Sequence, residues 1–263
     1  MRRGDSIWPW AILSVTAVAV LFSASEAPGQ SPPRSVLVAV GAGYTGGWNT
    51  EVEVANGSAD SLGIVIRGQP NPSGLCPGPC PPTLAASPLG IGKVSGPFGL
   101  PPSFVGTVYL VSNAEAKRFA ARARIFNVAR PTQSIEIPVF QLSTLVAMNP
   151  SVLSFPSAAR TPSGHSNLVL GEISSSGSLS MLVEAFSGSG QHLGSLPLSI
   201  TAPPLDIEHR SIFLVDVLAS LGISELDSGQ IRVTKTGGDG VMWGLLATVT
   251  AEGGVAVSIG QNP

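Results

Sequence analysis

Apolar residues recur at every second position in segment after segment of this chain. Val36, Val38 and Val40 alternate, and Trp48, Thr50, Val52 and Val54 share one face of WNTEVEVAN while Asn49, Glu51 and Glu53 take the other. Asn56-Gly57 then offers a turn, because both residues tolerate positive φ. Leu62, Ile64 and Ile66 alternate after it, followed by FVGTVYLV at 104–111, RFAARARIF at 118–126 and SIEIPVF at 134–140. A period of two marks a strand buried on one face. Most of these segments are also too short for helices.

The second half repeats the arrangement. After NLVLGEI at 167–173, Leu179, Met181 and Val183 alternate as Leu62, Ile64 and Ile66 do, 117 residues later. GTVYLVSNAEAKRFAARARIFNV from Gly106 parallels GQIRVTKTGGDGVMWGLLATVTA from Gly229, an offset of 123. Each is followed by a last alternating segment, Ile135/Ile137/Val139 in one and Val255/Val257/Ile259 in the other. Two such offsets imply a duplicated unit with modules at 35–145 and 152–263, and Asn149-Pro150 marks the joint. About seven short strands per hundred-odd residues, separated by turn signals, is the pattern of a β-sandwich. The expected class is therefore all-β: two tandem antiparallel sandwiches, with one short helix in the second. That helix is SIFLVDVLASLG at 211–222, with Ser211 as cap, Phe213, Val217 and Leu221 at helical spacing, and Gly222 as stop.

The first thirty residues depart from this pattern. Arg2 and Arg3 precede an apolar stretch from about Ile7 to Phe22, and small residues follow. That order describes a secretory signal peptide, here 1–27, with 28–34 as a linker. The apolar stretch is shorter than the roughly 20 residues a membrane span needs, so cleavage is expected and the chain is placed outside the cell or in its envelope. Charged residues are only 11% and the net charge is -2. Without a basic cluster to neutralise phosphates, nucleic acid is excluded as a partner.

Candidate chemistry is sparse. GAGYTGG contains G-x-G-x-x-G at Gly41, Gly43 and Gly46, but a dinucleotide site needs a helix after the glycines. Here the alternation of WNTEVEVAN predicts a strand. Asp60, at the distance of a ribose contact, falls in the turn GSADS. GHSN at 164–167 lacks the final glycine of a nucleophile elbow, so Ser166 reads as an ordinary loop serine. Cys76 and Cys80 in LCPGPCPP are expected to form a disulfide, since oxidising compartments favour one. The histidines lie too far off in sequence to complete a metal site with them. Weak ligand candidates are Tyr44, flanked by glycines, and the oxygen-rich cluster Asp206, Glu208 and His209, with Asp216 beyond it, whose ligands would suit calcium. Trp48 is assigned to the core with Val52 and Val54. No catalytic residue, cofactor or metal is expected.

GGWNTEVEVAN at 46–56, DVLASLG at 216–222 and GQIRV at 229–233 give the chain a further likeness. It resembles uncharacterised secreted bacterial proteins with tandem Ig-like β-sandwich modules. In that comparison His165 stands where the first module has Trp48. The resemblance implies surface or extracellular scaffolding, and no catalytic motif travels with it. The expected function is a non-enzymatic structural or adhesion-type protein whose partner is a surface glycan or envelope protein. The alternative is a carbohydrate- or calcium-binding accessory module.

Overall fold

Every alternating segment of the first half folds into antiparallel strand in the computed structural model, one of them as two strands. The described residues are 35–44, 47–68, 83–112, 118–174, 177–203, 206, 210–250 and 255–260. The strands are β1 (Val36–Gly43), β2 (Trp48–Asn56), β3 (Leu62–Arg67), β4 (Thr83–Ala86), β5 (Ile91–Ser95), β6 (Val105–Ser112), β7 (Phe119–Asn127), β8 (Ser134–Ile137) and β9 (Val139–Gln141). They form two sheets, ordered β4-β3-β6-β1-β9 and β5-β2-β7-β8. Val52 and Val54 of one and Val38, Val40, Val108 and Leu110 of the other lie in a single buried cluster. The strand directly after Gly47 meets the expectation for WNTEVEVAN and leaves no helix to face a pyrophosphate.

A helix of 7 residues, α1 (Leu142–Met148), leads into the second set. That set comprises β10 (Val152–Thr161), β11 (Gly164–Glu172), β12 (Leu179–Ser187), β13 (His192–Ile200), β14 (Ser211–Leu214), α2 (Val217–Ser220), β15 (Leu226–Gly237), β16 (Met242–Thr250) and β17 (Val255–Ile259). The runs are β13-β12-β15-β10 and β14-β11-β16-β17, joined where Arg160 and Thr161 at the end of β10 pair with His165 and Gly164. Strand for strand, this order repeats that of the first set, with β9 as the addition. The fold is an all-β antiparallel sandwich architecture.

Three elements differ from the sequence expectation, each for a physical reason. SIEIPVF is two strands, because Pro138 has no N–H for a ladder. β8 pairs with β7 in one sheet, and β9 crosses to pair with β1 in the other. SIFLVDVLASLG opens as β14 and holds only one helical turn, so the cap is Asp216 rather than Ser211. Asp216 Oδ1 accepts from the Ala219 N–H at 3.2 Å. Ile212 is β-branched and Phe213 aromatic, which favours a strand over the coincidental helical spacing. The helix α1 was not expected, and its C-cap is Asn149 in the left-handed region at φ 30. Gly222, expected as the stop, does lie just past α2 at φ 77.

The two sets share a buried hydroxyl clamp. In β1, Gly41 adopts φ 74 and shifts the register between Val40 and Ala42. In β10, Ser157 adopts φ 64 and shifts it between Pro156 and Ala158. Two residues beyond each bulge, a side-chain hydroxyl from the next strand ties down the backbone. The Gly43 N–H donates to Thr50 Oγ1 at 2.8 Å, and Thr50 Oγ1 donates to Gly43 O at 2.7 Å. The Ala159 N–H donates to Ser166 Oγ at 2.9 Å, and Ser166 Oγ donates to Ala159 O at 3.0 Å. At the far end of the same strands, Asn56 Oδ1 accepts from Ser58 N at 3.0 Å, and Glu172 Oε1 accepts from Ser174 N at 2.7 Å. All these pairs are 116 residues apart in sequence. At that offset Gly164 stands opposite Trp48 and His165 opposite Asn49, one residue from the equivalence drawn from sequence.

The central strands of the sheet β14-β11-β16-β17, β11 and β16, are buried on both faces over most of their length. Leu168, Leu170, Met242 and Leu246 belong to the core of the second set with Phe155 and Val183. Their neighbours in alternation, Val169, Val241, Trp243 and Leu245, together with Ile173, belong to the core of the first set. The two sandwiches therefore share an apolar seam. Tyr109 of β6 crosses it and donates its hydroxyl to Ile173 O, and burial pushes that phenol pKa far up. Ser211 Oγ donates to Val105 O at 2.6 Å. Gly171 lies opposite Trp243 in the ladder, and a Cβ there would sit 2.2 Å from the Trp243 Nε1.

Gly171→Ala is expected to cost about 2–3 kcal/mol, the scale of forced overpacking in a tight core, measured by urea denaturation. The clamp makes a separate prediction. Thr50→Val and Ser166→Ala each leave a buried backbone N–H and C=O without their hydroxyl, so each is expected to cost about 1–3 kcal/mol in the same assay.

Candidate functional site

An apolar cleft opens where the seam between the sandwiches reaches the surface. Its volume is ≈ 450 Å³. One wall comes from Ile125 of β7 and Ile135 and Ile137 of β8, and the other from Leu245 of β16 and Val255 and Val257 of β17. Gly41 and Gly43 also line it. A Cβ on Gly41 would lie 3.1 Å from Leu245 Cδ1, so the bulge glycine lets the second sandwich approach β1. The glycines that imitate a cofactor fingerprint thus serve two structural purposes, a left-handed bulge and close approach of a neighbouring sheet.

Three groups with polar atoms reach this cleft: Trp48, His165 and Asn167. Trp48 does not join the core with Val52 and Val54 as expected. It stands at the end of β2, past Thr50, and is half-buried on the cleft. His165 lies on the boundary between this cleft and a second, polar hollow of ≈ 410 Å³ formed by the β10–β11 hairpin. In that hollow, Arg160 Nε donates to Asp216 Oδ2 at 2.7 Å, and Arg160 also donates to the carbonyls of Ile223 and Ser224. Asp216 is thereby occupied as a helix cap and ion-pair partner.

The sequence candidates are scattered. Ser166 lies in strand β11 rather than a loop, fully buried, with its hydroxyl shared among Ala159 and Thr248 Oγ1, which is 3.0 Å away. That geometry suits a structural clamp. Tyr44 is half-buried and packs against the first core, and burial raises its phenol pKa. Asp206 is half-buried, its backbone N–H bonded to Pro203 O at 3.2 Å. Glu208, His209, Cys76, Cys80, Gly46 and the segment 1–34 lie outside the described residues, so neither the disulfide nor the acidic cluster is seen. Among the described residues no group of three or more His, Cys, Asp or Glu side chains could hold a metal ion. No helix among them is long and apolar enough to cross a membrane.

The outer face of the sheet β5-β2-β7-β8 carries an ion-pair ladder. Glu51 sits between Arg124 at 2.7 Å and Lys93 at 2.9 Å, and Glu53 pairs with Arg122 at 3.0 Å. Burial pushes the Glu51 carboxyl up, but the hydrogen bonds and charges of Arg124 and Lys93 outweigh it and hold the group below the usual carboxylate range. Matched charges directly across strands keep this face solvated and discourage edge pairing.

The cleft itself was invisible in the sequence. Its walls come from strands more than a hundred residues apart, and alternation says which residues share a face without saying what that face meets. The one available signal is the near-continuous apolar run in VMWGLLA at 241–247, which marks a strand buried on both sides.

No protein-family model matches the chain, and no curated protein is detectably similar to it. Among solved structures it is similar to a lectin from Pleurotus ostreatus in complex with GalNAc, at 8% identity over 87% of this chain and 76% of that one, with a TM-score of 0.19. The apo form of the Pleurotus ostreatus lectin aligns at 9% identity over 86% and 75% of the two chains, with a TM-score of 0.20. Similarity at that level carries no argument about this chain's ligand.

Proposed function

We propose that this chain is a non-enzymatic protein of the cell surface or extracellular space, a structural or adhesion-type unit built from two Ig-like sandwiches in tandem. One observation carries the reading: Val169, Ile173, Val241, Trp243 and Leu245 of the second sandwich are buried in the core of the first. Domains that move against each other ordinarily meet through modest, rather polar interfaces. An apolar seam crossed by Tyr109 and Ser211 makes a stiff double unit suited to holding a position or transmitting load. The repeated strand order and the clamps 116 residues apart support a tandem duplication. Arg2, Arg3 and the apolar stretch behind them support export. The carbohydrate- or calcium-binding alternative is the second reading, and the partial packing of Tyr44 against the first core lends it no added support.

Cell fractionation with proximity labelling of a C-terminally tagged chain tests this. The tag is expected in the envelope or medium, on a chain shortened at its N-terminus, with envelope proteins labelled around it. Full-length chain retained in the cytosol would overturn the reading.

A further inference from the structure

The cleft at the seam has the properties of a ligand site rather than a packing defect. Its ≈ 450 Å³ falls within the roughly 300–1,000 Å³ of small-molecule pockets. It is continuous with the interface between the sandwiches, since Val169 and Leu245 belong both to the buried seam and to the cleft lining. Branched aliphatic side chains make up most of that lining, and among the described residues no Asp, Glu, Lys or Arg is part of it. A charged occupant would therefore lose its hydration without gaining a partner. An apolar one loses nothing.

The few polar atoms present specify the rest. The Asn167 Oδ1 already accepts from the Asp216 N–H at 3.0 Å, and both N–H groups of its amide remain to be offered as donors. The Trp48 indole nitrogen is donor-only, and neither it nor the His165 imidazole forms a hydrogen bond to a described residue. Donors in an otherwise aliphatic cleft call for an occupant with an acceptor oxygen at one end. We propose that this cleft binds a single aliphatic chain bearing an uncharged oxygen head, of the fatty-alcohol or acyl-ester class. The chain lies between the isoleucines of β7 and β8 and the valines of β17, with the head toward Trp48, His165 and Asn167. This assignment is independent of the structural role proposed above.

The test uses the full chain and 2-bromododecan-1-ol, whose bromine lies beside the head and quenches indole fluorescence on contact. Saturable one-to-one quenching is expected, competed by unbrominated dodecanol, with a component that disappears in Trp48→Phe. Ala247→Phe fills the cleft from β16, and Val255→Asp places a charge at its wall. Each is expected to weaken binding at least about tenfold, a change of about 1.4 kcal/mol, with the thermal midpoint little changed. Should Ala247→Phe fail to fold, Val255→Asp, at the start of the last strand, carries the same comparison. Laurate at a pH of about 8 is expected to bind more weakly than dodecanol, because its carboxylate finds no cation. Quenching that never saturates, or binding that is equal in the wild-type chain and the folded variants, would overturn the site. Laurate binding as tightly as the alcohol would overturn the neutral head.

Discussion

The burial of β11 and β16 on both faces governs this molecule. In β11 and β16, side chains alternate between two cores, Leu168, Leu170, Met242 and Leu246 to one and Val169, Trp243 and Leu245 to the other. A sandwich ordinarily leaves its outer faces polar. Here one outer face is apolar and finds its partner in the first sandwich, so removal of the first sandwich would expose Trp243 and four aliphatic side chains at once. Full burial of each such side chain is worth about 1.5–3 kcal/mol, which puts the seam on the scale of a whole domain's net stability of about 5–15 kcal/mol.

The glycines and hydroxyls near the seam follow from this constraint. Gly171 exists because the Trp243 ring lies over it, and Gly41 because Leu245 approaches β1. The left-handed bulges at Gly41 and Ser157 bend the first strand of each sandwich, and Thr50 and Ser166 satisfy the backbone groups that follow. The cleft is the place where the same seam runs out of facing side chains. Its apolar walls are the exposed end of an interface, which explains why they carry no charge.

Much of the strand content was legible from the period of two, because each strand has at least one apolar face and the turns between carry Asn, Gly and Pro. What alternation could not show was the fate of the second face. VLVAV in β1 and MWGLLA in β16 are apolar on both faces, and only the packing of the two sandwiches explains it. Local signals also failed where two readings compete within a few residues. Ile212 to Leu214 favours a strand, Val217 to Ser220 follows with a helical turn, and the i, i+4 spacing merged them into one helix. Pro138 was a visible breaker inside an apparent strand, and it marks the crossing between sheets. Of the candidate site residues, Tyr44 and Ser166 were drawn by composition and motif fragments, yet their side chains are committed to packing and to the clamp. Trp48 and His165 were noted for other reasons. They meet on the cleft only because β2 and β11 end beside each other in space.

The central claim is that the two sandwiches share an apolar seam and fold as one cooperative unit. Differential scanning calorimetry measures this most directly, by comparing the calorimetric enthalpy of unfolding with the van't Hoff enthalpy. The account predicts a single transition in which the two agree. Two separate transitions, or a calorimetric enthalpy near twice the van't Hoff value, would contradict it.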